Sequence, residues 1–263
     1  LRHFFRPDGA WFGNNKGNAA LGDEAADLLV KWDLSLAEFY LEGGLYFNKG
    51  DDNFHLAIAR SREVLEQGAG KRQEQAWAGI LLANQGLIKQ SSKGRFIFVA
   101  ENVIGLAYPD DYKLPKKLRR MKLDKNEQAY MTAKEKYLAV PDRTGQKPDL
   151  KPLENVHMAS NILYTSALVN YTRGMNPEGL KDIDLLLEHD AKSLYAGWAG
   201  DMIYQMSARA EDWVGLQQRM KTMLEAGNTQ VTPEASLKEY LCSGLIQEGL
   251  VKSKNKEYGD AME

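Results

Sequence analysis

Two adjacent glycines, Gly43 and Gly44, sit within a stretch whose other residues favour helix, FYLEGGLYFNKGDD from Phe39 to Asp52. Inside a helix each glycine costs about 1 kcal/mol relative to alanine. Close packing can offset that cost, because a residue without Cβ lets a second backbone approach. The pair therefore points to helices held tightly against one another. Gly43 is expected at such a contact, and Gly44 is expected to face a groove, leaving room for another group. A kink or helix end in an ordinary bundle is the alternative.

The surrounding residues carry the helical period. Leu28, Leu29, Trp32, Leu36, Phe39, Tyr40 and Leu41 recur at three-to-four spacing, followed by Leu56, Ile58, Val64 and Leu65. That spacing predicts helices over these stretches. Helix boundaries are also marked. Asp51 or Asp52 can cap the helix that ends before Gly68, Asn176–Pro177 and Thr232–Pro233 fit a cap followed by proline, and Gly227 fits a C-terminal glycine. About ten to twelve helices result. The run RFIFVAENVIGLAY, Arg95 to Tyr108, has strand propensity. No comparable partner run is present, so a buried helix is expected there.

Residues 1–22 are rich in glycine, asparagine and aromatics and read as irregular. Helical hairpins are expected over 23–107 and 155–263. Between them, 108–154 holds five prolines and one helix around Glu127 to Leu138, and the whole is expected to form one continuous structural unit. In this middle region Lys113, Lys116, Lys117, Arg119, Arg120, Lys122 and Lys125 oppose Asp111 and Asp124, a local charge of 7 − 2 = +5. Lys116, Lys117, Arg119 and Arg120 form a candidate basic patch for an acidic partner or lipid headgroups. A solvated loop explains the same run.

A repeat is visible in the C-terminal region. Tyr171 and Tyr204 are 204 − 171 = 33 residues apart, and at that offset Ala167 matches Gly200, Leu180 matches Trp213, Ile183 matches Leu216 and Leu187 matches Met220. Phe39, Gly43 and Tyr46, followed by NKGDD and Ala57, make a similar unit near the N-terminus. These stretches, Leu36–Gln67 and Asn161–Gly227, resemble the tetratricopeptide repeat, a helix-turn-helix unit of about 34 residues. The later units place the small residue one position early and lack the family's closing proline. The resemblance implies an all-α fold of stacked antiparallel hairpins in a right-handed array. It also implies a concave groove lined by first helices. Carried over from Tyr46, Tyr171 and Tyr204, the groove positions are Tyr40, Phe47 and Asn48, then Thr165, Thr172 and Arg173, then Trp198 and Gln205.

Catalytic signatures are weak. The four histidines, His3, His55, His157 and His189, do not have the spacing that puts two metal ligands on one helix face, and Cys242 is the single cysteine. No GxSxG elbow, phosphate loop or dinucleotide fingerprint occurs. No cofactor or metal is expected, and a non-catalytic role is favoured over an enzyme. The net charge of −2 offers no general attraction to nucleic acid. No apolar window is long enough for a transmembrane helix.

The chain starts without methionine. A processed or anchored N-terminus would place it outside the cytoplasm, and trimming explains the same start. The expected function is a protein- or peptide-binding scaffold or adaptor, as an accessory subunit of a larger assembly. The alternatives are a small-molecule-binding accessory protein of a transport or export system and an all-α hydrolase with paired carboxylates.

Overall fold

The structure is a computed structural model describing residues 19–46, 50–67, 72–98, 104–109, 112–114, 119–140 and 158–254. Over these residues the fold is all-α, with ten helices and two strands of two residues each. The chain forms two compact units, Leu1–Ile104 with Asp124–Val156, and Gly105–Leu123 with His157–Glu263. The first holds α1 (Ala19–Tyr46), α2 (Gly50–Glu66), α3 (Gln73–Ser91), β1 (Ile97–Phe98) and α4 (Lys125–Leu138). The second holds β2 (Leu106–Ala107), α5 (Met158–Thr172), α6 (Asn176–Asp190), α7 (Leu194–Trp198), α8 (Gly200–Ala210), α9 (Trp213–Glu225) and α10 (Glu234–Lys254).

In the first unit, consecutive helices pack on one another and α1 also touches α3. Phe54, Ala57, Ser61 and Val64 recur along one face of α2 and are buried. The ring of Phe54 lies where Cβ atoms of Gly44 and Gly86 would stand, 2.6 and 2.2 Å from its nearest atoms. Gly43 meets Asn53 in the same way, and Gly79 meets Ser61. Both glycines of the pair thus serve packing against α2. The groove expected at Gly44 is filled by Phe54.

The inward face of α1 is one of two apolar stripes. Val30, Asp33, Ala37 and Leu41 are buried, whereas Leu28, Trp32 and Phe39 are exposed. The apolar residues of α1 make two stripes, and the stripe with smaller residues and the glycines faces inward. Asp33 is buried, accepts a hydrogen bond from Gln67 at 2.8 Å and lies 3.8 Å from Arg60, which ties α1 to α2. At the start of α4, Asp124 and Glu127 form a capping box. Glu127 also pairs with Arg95 at 3.1 Å.

The run Arg95 to Tyr108 corrects a second expectation. Its described residues carry β1 and β2 and no helix, so the preference of β-branched and aromatic residues for extended backbone prevails at those positions. Cap positions shift as well. α2 begins at Gly50, putting Asp51 and Asp52 in its first turn. Met175 occupies the cap position of α6 without a side-chain hydrogen bond, putting Asn176 and Pro177 inside the helix. Thr232 instead donates its hydroxyl to the Gly197 carbonyl at 2.8 Å.

In the second unit, α5–α6 and α8–α9 are successive hairpins. The Gly174 amide bonds Tyr171 and the Met175 amide bonds Asn170, while the Glu211 amide bonds Ala208 and the Asp212 amide bonds Ser207. Both pairs make the Schellman turn, with Gly174 and Glu211 at φ 66° and 55°. Gly227 ends α9 in the same manner. Aligning the turns gives an offset of 212 − 175 = 37, one helical turn from the 33 suggested by the tyrosines. At 37, buried Gly179, Leu180, Asp182, Ile183 and Leu186 of α6 fall on buried Leu216, Gln217, Arg219, Met220 and Met223 of α9. The polar contacts correspond too. Asn170 donates to Asp182 at 3.2 Å, and Arg219 donates to Ser207 at 3.3 Å.

Candidate functional site

α5 is buried along its whole length although it carries six polar residues. Most of these are hydrogen-bonded within the unit. Thr165 donates to Asn161 at 3.1 Å, Thr172 to the Val169 carbonyl at 2.8 Å, and Ser166 to Asp182 at 2.5 Å. Thr165 and Thr172 therefore have their hydroxyls engaged inside the fold and offer no surface to a partner.

At the C-terminal end of α5 the structure gathers aromatic and cationic groups. The Tyr171 hydroxyl donates to Gln205 of α8 at 2.5 Å. Arg209, one turn further along α8, donates to the same Gln205 oxygen at 3.3 Å and lies 5.0 Å from the Tyr171 ring centroid. Tyr108 meets the Tyr171 ring edge-on at 6.0 Å and stacks on Tyr112 at 5.2 Å. Burial raises the Tyr171 pKa, while the Arg209 charge works in the opposite direction. Arg173 follows directly, and its carbonyl accepts the Met121 amide at 2.8 Å. Arg120 pairs with Glu178 of α6. The extended segment 119–123 thus runs beside the α5–α6 turn, where Gly174 leaves only 3.1 Å between a Cβ and the Arg119 carbonyl.

The exposed side of α7 and α8 continues this surface. Trp198, Asp201, Gln205 and Arg209 follow at i, i+3, i+7 and i+11, and each is exposed or half-exposed. Trp198 is braced by Tyr164 and Tyr195, with centroids 5.7 and 5.6 Å away. Tyr204 stacks on Tyr240 of α10 at 4.4 Å, and the Tyr240 hydroxyl donates to Asp201 at 2.7 Å. Partial burial and then the Asp201 carboxylate push the Tyr240 pKa up.

Of the candidates from the resemblance, Arg173, Trp198 and Gln205 are accessible in the second unit, and Gln205 lies at the centre of the cluster. Tyr40 is half-buried in the first unit, against Phe39 at 5.6 Å. Phe47, Asn48, Lys116 and Lys117 lie outside the described residues. Arg119 and Arg120 are exposed. Sequence reasoning missed Arg209, Tyr108 and Tyr240. Only Arg209 left a signal, one turn after Gln205 on the same face.

A half-open cleft of about 380 Å³ lies between α6 and α9 and includes Asp184, Glu188, Gly215, Gln218, Arg219 and Thr222 in its lining. Arg219 is buried and donates to both oxygens of Asp184 at 2.6 and 3.0 Å and to Asp212 at 2.7 Å. These carboxylates share one guanidinium, an arrangement that holds helices together. Among the described residues, no group of three or more His, Cys, Asp or Glu is placed to hold a metal ion. No described helix is long and apolar enough to cross a membrane. No known protein family, curated protein or solved structure matches this chain.

Proposed function

We propose that the chain is a non-catalytic module that binds a protein or peptide, with its contact surface on α7, α8 and the C-terminal end of α5. The observation that carries this is the line Trp198, Asp201, Gln205 and Arg209, left accessible and braced from behind by tyrosines. Tryptophan, tyrosine and arginine dominate binding energy at protein interfaces, and groups already held in place lose little entropy on binding. On this reading the hairpins are repeat units of a tetratricopeptide-like array, with first helices facing the partner. Arg173 and Arg209, with exposed Arg119 beside the α5–α6 turn, favour an acidic segment.

The test is selection of peptides on the full chain from a displayed library, followed by calorimetry. The first prediction is that selected peptides are acidic and aromatic. Replacing Gln205 and Arg209 together by alanine should weaken them by about 10- to 100-fold, while Arg62→Ala on α2 leaves affinity unchanged. Equal affinity for all three proteins would sink the proposal.

The cleft at Arg219 supports a second reading, since small-molecule sites start at about 300 Å³. Under that reading a small molecule remains bound in native mass spectrometry and is lost on Gly215→Leu.

A further inference from the structure

One side of α10 packs on its neighbours through Leu237, Gly244 and the Tyr204–Tyr240 stack. The other side is apolar. Cys242, Leu245, Ile246, Gly249 and Leu250 follow at i, i+3, i+4, i+7 and i+8, with Leu245, Ile246 and Leu250 51%, 62% and 50% exposed. Scattered exposed leucines need no explanation, but a continuous stripe along one helix face marks an interaction surface.

We propose that this stripe pairs with a second copy of the chain, α10 against α10, antiparallel about a twofold axis at Ile246. The residue order suits that symmetry. Cys242 lies four residues before Ile246 and Leu250 four after it, so each stands opposite the other in the partner copy, and Gly249 lets the backbones approach. Charge gives the direction. Glu234, Lys238 and Glu239 occupy the first half of α10, and Glu248, Lys252 and Lys254 the second, a net charge of −1 and +1. Glu234 and Lys252 have intrahelical partners, whereas Glu239 and Lys254 make no ion pair with a described residue. An antiparallel pair brings Glu239 toward the partner's Lys254 and opposes the helix dipoles favourably. A parallel pair would set like charges together. The helix carries three acidic and three basic residues, which gives anionic lipid no handle on this face.

The full chain is examined by size exclusion with light scattering over a range of concentrations. A dimer is expected with a Kd of roughly 1–100 µM, in keeping with a small interface. Ile246→Lys combined with Leu250→Lys should give a monomer of unchanged helicity, because both side chains are exposed on the isolated chain. A second variant reads the register. Ile246→Cys in a Cys242→Ser background should form a disulfide-linked dimer on mild oxidation. The native Cys242 pair should not, being about 12 Å apart along the axis at 1.5 Å per residue. A wild-type monomer throughout, a dimer that survives the lysine pair, or linkage through Cys242 alone would each overturn the proposal. So would a monomer that binds lipid vesicles through this face.

Discussion

Phe54 shows what the paired glycines are for. Its ring occupies the space of two missing Cβ atoms, at Gly44 on α1 and Gly86 on α3. Gly86→Ala would place a methyl group 2.2 Å from the ring, so the ring or a helix must shift. The expected loss is about 1–3 kcal/mol, read from the urea midpoint. Phe54→Leu made on that background should recover part of it, although alone it destabilises. Strictly additive costs would show that the clash is not the cause. The penalty of the glycines is legible in the sequence, because helix propensity is local. Phe54 as their partner is not, because α2 must first fold back on α1. The same limit explains α1 itself. Periodicity finds apolar stripes without saying which is inward, and Trp32 and Phe39, which share the helical period, are exposed.

At the scale of elements, α9 is tied to α6 and α8 through one buried guanidinium. Arg219 contacts Asp184, Asp212 and Ser207, and Gly215 leaves space for the Asp212 carboxylate, 2.3 Å from where its Cβ would lie. Asp212 also caps α9 by accepting the Gly215 amide at 3.1 Å. Asp212→Asn can therefore keep the cap through its remaining oxygen but turns its NH2 toward Arg219, losing that hydrogen bond with the charge, while Asp212→Ala loses the cap as well and costs about 1 kcal/mol more. A double-mutant cycle with Arg219→Ala measures the pair, and coupling of about 0.5–2 kcal/mol is expected because Asp184 and Asp212 are partly solvated. No coupling would mean that the guanidinium is held by packing alone. The offset between the two hairpins belongs to this scale as well. A slip of four residues keeps the same helix face, so apolar spacing accepts 33 or 37 alike. The Schellman turns choose 37, and Glu211 in a left-handed conformation gives no sign in the sequence that it matches Gly174.

For the whole molecule, buried phenols make stability depend on alkaline pH. Burial raises the pKa of Tyr164 and Tyr171 above the ordinary 10.0. The folded chain then keeps protons that the unfolded chain releases at 10.0. Their contribution is complete below that pH and declines as pH rises above it toward the folded values. Unfolding midpoints at roughly pH 9 and pH 11 should differ, and Tyr164→Phe should narrow the difference. An unchanged difference would assign alkaline sensitivity to other groups. Within the sequence alone, the all-α class, the helix near Glu127 and the glycine stop at Gly227 were determined, because period, propensity and capping act within a few residues. Tertiary structure alone decided which stripe of α1 is core, that Arg95 to Tyr108 carries short strands, and that Thr165 and Thr172 are enclosed while Gln205 and Arg209 are presented. Each of these depends on which distant side chain fills a space or supplies a hydrogen bond, a property that no local window of sequence contains.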